Sequence, residues 1–128
     1  MYRTEDLLLF FEGAPGSLPL YRALEEKLTS RFVEVDIRVQ KTQISFYNRH
    51  LFACASLARV LPGGKLPRPF LTVTFGLPAR VDSRRIAACV EPYPNRWTHH
   101  VVISSPDELD EELMGWLDAA YAFSLSKR

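Results

Sequence analysis

Val33-Glu34-Val35-Asp36-Ile37-Arg38-Val39, followed after a short polar break by Thr42-Gln43-Ile44-Ser45-Phe46-Tyr47, decides how this chain folds. Apolar and polar residues alternate with a period of two in both runs, the pattern of strands with one buried and one wet face. In the second run Ile44 and Phe46 face the core, while Lys41, Gln43, Ser45 and Tyr47 face the other way. Asn48-Arg49-His50 reads as a turn, and Leu51 to Leu57 returns as a strand whose run of Ala, Cys and Leu leaves its inner face ambiguous. Pro62, Gly63, Gly64, Pro67 and Pro69 mark a long loop before a further strand, Phe70 to Phe75, in which Leu71, Val73 and Phe75 oppose Thr72 and Thr74.

Outward from this centre the period becomes helical. Thr4 caps a short helix over Glu5 to Glu12, stopped by Gly13. Ser17 caps a second, with Pro19 in its first turn, Tyr21, Leu24 and Leu28 on one face and Phe32 as its close. Asp82 or Ser83 caps a short helix through Ala88, ended by Pro92 and Pro94. Arg96 to Ile103 is the last strand. Ser105-Pro106-Asp107-Glu108 is a capping box that opens a final helix with the stripe Leu109, Leu113, Trp116, Leu117, Ala120 and Phe123. The order predicts an α+β fold, an antiparallel meander sheet of four to five strands with helices mainly on one face. The other face is left partly open.

The chain has 128 residues, enough for a single domain spanning 1–128. Hydrophobic residues make up 47% and charged ones 24%, which excludes disordered, collagen-like and coiled-coil classes. No apolar run approaches the ~18 residues of a membrane-spanning helix. Acids at Glu5 and Asp6 replace the basic start of a signal peptide, so a cytoplasmic protein is expected. Cys54 and Cys89 lack metal-ligand spacing and read as two reduced thiols.

Near-zero net charge hides segregation. Residues 1–36 hold four basic against seven acidic side chains and residues 101–128 two against six, while residues 37–100 hold ten against two. One account is that exposed helix faces favour carboxylates and strands lack them. The other is a basic central surface that attracts an anionic partner.

Lys41-Thr42-Gln43-Ile44-Ser45-Phe46 before Arg49 and Phe52, Phe75-Gly76-Leu77-Pro78, Arg96-Trp97-Thr98-His99-His100-Val101, and Glu108-Leu109-Asp110-Glu111-Glu112-Leu113 running into Trp116-Leu117 and Ala120-Tyr121 give a further clue. In that order they resemble the bacterial domain-of-unknown-function family DUF5655 over nearly the whole chain. A tryptophan before the final strand is also loosely similar to small MmcQ/YjbR-like α+β domains. The resemblance brings no activity; it implies only an association with restriction or defence-type nuclease domains, to which members occur fused.

Adjacent His99 and His100 in a strand point to opposite faces and cannot readily share one metal ion, so no metal site and no cofactor are expected. His99 reads as a hydrogen-bonded structural histidine. His100 on the open face can meet Lys41, Ser45, Tyr47, Thr72 and Thr74, a set of donors suited to phosphate or carboxylate. The rival is an ordinary solvated sheet face. No G-x-S-x-G is present, Gly63-Gly64-Lys65 lacks the context of a phosphate loop, and Arg84-Arg85 at a helix start oppose the helix dipole, inviting an anion.

The expected function is a binding domain for an anionic ligand, a phosphorylated small molecule or nucleic acid, held by Lys41, Ser45, Arg49, Arg96 and His100 converging on the non-core side. One alternative is an enzyme with His100 as general acid or base and Lys41, Arg49 or Arg96 holding an anion, which a deep pocket would favour. Another is an interaction or homodimer module, which an exposed apolar patch made by Phe10, Phe11 and the first helix would favour.

Overall fold

The computed structural model describes residues 2–127. Two helices, α1 (Thr4–Phe10) and α2 (Leu18–Arg31), precede strands β1 (Asp36–Val39), β2 (Ile44–Tyr47), β3 (Leu51–Ser56), β4 (Leu71–Leu77), β5 (Ala88–Tyr93) and β6 (Arg96–Ile103). Helix α3 (Glu111–Leu125) closes the chain. All strand pairs are antiparallel, in the order β1-β2-β3-β4-β6-β5. The fold is α+β, and its sheet has six strands rather than four or five.

The extra strand is the stretch expected to end the short helix at Ala88. Pro92 disfavours helical backbone in the residue before it, whereas an edge strand tolerates proline. Residues 78–87 therefore form no helix but a strap that carries the chain to the sheet edge. β5 then turns back at Pro94-Asn95, where Asn95 takes φ 66° and its N–H donates to Glu91 Oε2 at 3.2 Å. β6 consequently enters between β4 and β5, departing from a pure meander.

Ile37, Ile44, Phe46, Ala53, Ala55, Leu71, Val73, Phe75, Val101 and Ile103 form the buried face of the sheet and share one core with Leu7, Phe11, Tyr21, Leu24 and Leu28 of the first two helices and Leu113 and Leu117 of α3. Tyr21 stacks on Phe46 with ring centroids 6.2 Å apart, and Phe75 on Trp116 at 5.9 Å. The ambiguity of β3 has a physical cause. Pairing shifts from Phe46↔Ala53 to Tyr47↔Leu51, so Phe52 is the extra residue of a β-bulge. Phe52 and Ala53 can then both be buried, and Phe52 packs against Phe32, Phe46 and Tyr121.

Other element ends move for equally local reasons. Val33 and Val35 alternate correctly but pair with nothing, because β2 ends at Tyr47 opposite Asp36 and the chain then turns away. Thr4 is the first residue of α1, and Asp6 accepts the Arg3 N–H at 3.0 Å. Ser17 does not cap α2; its hydroxyl donates to the Phe70 carbonyl at 2.6 Å and ties the helix start to the sheet. The capping box at Ser105 and Glu108 is present but closes only a 3-10 turn, Pro106–Glu108. Leu109, with ψ 60°, breaks it, and Asp110 caps α3 by accepting the Leu113 N–H at 3.1 Å. Phe11 lies in the core and Phe10 is half-buried, so the apolar surface left exposed on the first helix is that of Leu8 and Leu9.

Candidate functional site

Strand register places Arg38, Ser45, Cys54, Thr74, His100 and Ala88 opposite one another in turn across the six strands, on the face away from the helices. Directly opposed side chains in such a row have Cβ atoms roughly 5 Å apart. The next step along β4 and β6 puts Gly76 beside Thr98, with Arg96 at the start of its strand on the same face. This face is less open than its sequence suggests. Thr72 is fully buried and its hydroxyl donates to the Ala58 carbonyl at 2.7 Å, so the loop after β3 folds across that end.

The expected site residues do not all meet. Ser45 is fully buried; its hydroxyl donates to Gln40 Oε1 at 2.6 Å and accepts from Gln43 Nε2 at 2.8 Å, so it is sealed by its own hairpin. Lys41 lies in the β1–β2 turn and Arg49 in the β2–β3 turn, both exposed and at opposite ends of β2. The convergence expected of Lys41, Arg49, Arg96 and His100 therefore fails at Lys41. Arg49 and Arg96 share one end, since Tyr47 pairs with Leu51 and Leu77 with Trp97 there.

Arg96 has a built seat. Its guanidinium lies so close over Gly76 that a side chain at that position would overlap it. The seat closes a hollow of about 20 Å³ lined by Cys54, Thr74, Gly76 and Arg96, room for roughly one water. Among the described residues no Asp or Glu pairs with Arg96. Burial and the neighbouring Arg96 charge both push the Lys127 ammonium pKa down, two cations near one another.

His100 is half-buried, its Nδ1 within 2.8 Å of Thr74 Oγ1. Burial holds its pKa below the ordinary histidine value, so it stands in the row as a neutral donor or acceptor. Cys54, opposite Thr74, is a thiol that burial pushes up, with the Thr74 hydroxyl acting weakly the other way. His99, on the helix side, is fully buried and stacks on Phe75 with centroids 5.3 Å apart. Both cysteines are free, and among the described residues no three His, Cys, Asp or Glu side chains gather as a metal ion would require.

The strap accounts for the other marked cations. Arg85 does not begin a helix of its own; it donates to Asp110 Oδ1 at 2.6 Å, Glu112 Oε1 at 3.3 Å and the Glu108 carbonyl at 2.7 Å, bracing the start of α3. Arg84 is exposed. Gly63–Lys65 is an exposed 3-10 turn with neither the strand nor the helix of a phosphate loop. Gly76 and Lys127 are absent from the site residues expected from the sequence. A glycine inside a strand pattern is itself the available signal, because it marks close approach of another group.

A family model described as Domain of unknown function (DUF5655) matches residues 10–124 of this chain. No curated protein and no solved structure matches it.

Proposed function

We propose, from the premise that the chain belongs to the DUF5655 family, that it is a binding domain for an anionic ligand, a phosphorylated small molecule or nucleic acid, seated at the Arg96 end of the outer sheet face. The observation that carries this reading is the Arg96 guanidinium laid over Gly76 with no carboxylate beside it among the described residues and Lys127 near it. Two cations that act on one another repel, a cost that an anion bound between them offsets. Arg96 offers its planar fork and Lys127 a point charge, a pairing suited to phosphate oxygens.

Binding rather than catalysis fits the shape. The hollow beneath Arg96 has room for a water, not a substrate, so a ligand would rest on the surface. Isothermal calorimetry with a nucleoside monophosphate, beside fluorescence anisotropy with labelled single-stranded DNA at low and high salt, tests the reading. Salt-sensitive binding that weakens about tenfold, roughly 1.4 kcal/mol, in Arg96→Gln supports it. No binding of either probe at low salt, or binding indifferent to Arg96, overturns it.

A further inference from the structure

His99 presents a combination that the anion site does not use. Its ring is fully buried, stacked on Phe75, and its Nε2 accepts the backbone N–H of Val81 at 2.9 Å. Among the described residues the buried Nδ1 has no hydrogen-bond partner. A nitrogen that accepts an N–H carries no proton, so the neutral ring must bear its hydrogen on Nδ1. The residue that donates, Val81, lies in the strap of residues 78–87, which has no helix or strand of its own.

We propose that His99 is a proton-sensitive latch on this strap: protonation of Nε2 replaces its acceptor by a second donor, the Val81 N–H loses its partner, and residues 78–82 release from the sheet. The second half of the strap stays fixed. Arg85 holds it to Asp110, Glu112 and the Glu108 carbonyl, Ile86 N–H donates to the Ser83 carbonyl at 3.1 Å, and Ala87 N–H to the His100 carbonyl at 2.8 Å. Release would thus be local, hinged near Ser83. Val81 is also part of the packing over the core, so opening would uncover the Phe75, His99 and Trp116 surface below.

The surroundings set the direction. On its own strand His100, and after it Arg80 from the strap, add charge effects that both push the ring's pKa down. From β5 the opposed residue is Cys89, a thiol that burial keeps protonated. β4 offers Phe75 and α3 offers Trp116, both uncharged. Burial is the largest influence and pushes the His99 pKa down; the Trp97 and Phe75 carbonyls pull it up and are outweighed. A base with its folded pKa below the unfolded value keeps the latch closed above about pH 6.5 and weakens it as pH falls through the folded value.

The test uses the wild-type protein and NMR. Ring ¹⁵N shifts of His99 are followed from about pH 7.5 to about pH 5, together with protection factors of the Val81 amide and of the Val73 amide in the central strand β4 as a core reference. Expected are the Nδ1–H tautomer at the upper pH, conversion to the cation on descent, and a loss of Val81 protection that approaches about tenfold for each pH unit between about pH 6.5 and the folded value and levels off below it, while the Val73 amide holds. His99→Gln, whose Oε1 reaches near the place of Nε2 and can accept the same N–H without titrating, should keep Val81 protected throughout if it folds. A His99 ring that stays neutral over this range, that shows the Nε2–H tautomer, or that charges without loss of Val81 protection overturns the latch, and the wild-type measurement decides this whether or not the variant folds.

Discussion

Replacing Gly76 by Ala puts a methyl group where the Arg96 guanidinium rests, and the obstacle is the far end of a flexible side chain. The backbone there is not in the left-handed region, so alanine itself is unstrained. Arg96 should swing out, leaving stability within about 1 kcal/mol while phosphate affinity falls, a split that calorimetry and a melting curve read separately. A melting point that collapses, or affinity that is unaltered, would show that the seat is not what matters. Asn48 makes the opposite kind of prediction. It is buried; its amide donates to the Tyr121 carbonyl at 3.1 Å and its Oδ1 accepts from Ser124 Oγ at 2.9 Å and from the His50 N–H at 3.1 Å, holding the end of α3 to the β2–β3 turn. Asn48→Ala strands those groups and should lower stability by about 2 kcal/mol in denaturant unfolding, with phosphate affinity unchanged. Neither role was legible from the sequence. Asn-Arg-His signals a turn, but only packing shows that the turn caps a helix far along the chain.

At the scale of elements the start of α3 is the informative case. Ser105 to Glu108 has the full pattern of a helix start, and it folds as a capping box; yet the helix begins at Glu111 because Asp110 caps again and is also the partner of Arg85. Asp110→Ala should therefore cost about 1 kcal/mol or somewhat more, and Ser105→Ala less, reversing the order that the sequence alone suggests. The Leu113 N–H first, and then Arg85, hold the Asp110 carboxyl below its ordinary value. A carboxyl with its folded pKa depressed contributes stability above its unfolded value near ~3.9 and loses it as pH falls through the folded value. The stability gap between wild type and Asp110→Ala should accordingly narrow on acidification below about pH 4, as read by urea unfolding at stepped pH. A gap constant to lower pH would assign the effect to helix propensity instead. β5 shows the same limit from the other side: Ala-Ala-Cys-Val is locally neutral between helix and strand, and pairing with β6 decides it.

Across the whole molecule the segregated charge is partly an internal matter. Arg85 braces Asp110 and Glu112, Arg31 pairs with Asp118 at 2.6 Å, and Arg38 with Asp36 at 3.0 Å, so a cation count overstates the surface available to an anion. Ala substitution of Arg84 and Arg85 would then reduce binding of single-stranded DNA while also loosening α3, whereas Arg96→Gln with Lys127→Gln should reduce it and flatten its salt dependence without moving the melting point. Anisotropy titrations at two ionic strengths beside thermal melts separate the two, and a double Gln variant that binds with unchanged salt slope would place the anion elsewhere. The alternation of β1, β2 and β4, the helical stripes, the α+β class and the family can be read from consecutive residues, because period and composition are local properties. The bulge at Phe52, the edge strand Ala88–Tyr93 with β6 inside it, the sealing of Ser45, and Arg96 resting over Gly76 while Lys41 stands at the far end all emerge from packing. Those outcomes depend on which distant backbone satisfies each hydrogen bond and which side chain occupies each gap, and neither quantity exists until the strands are in register.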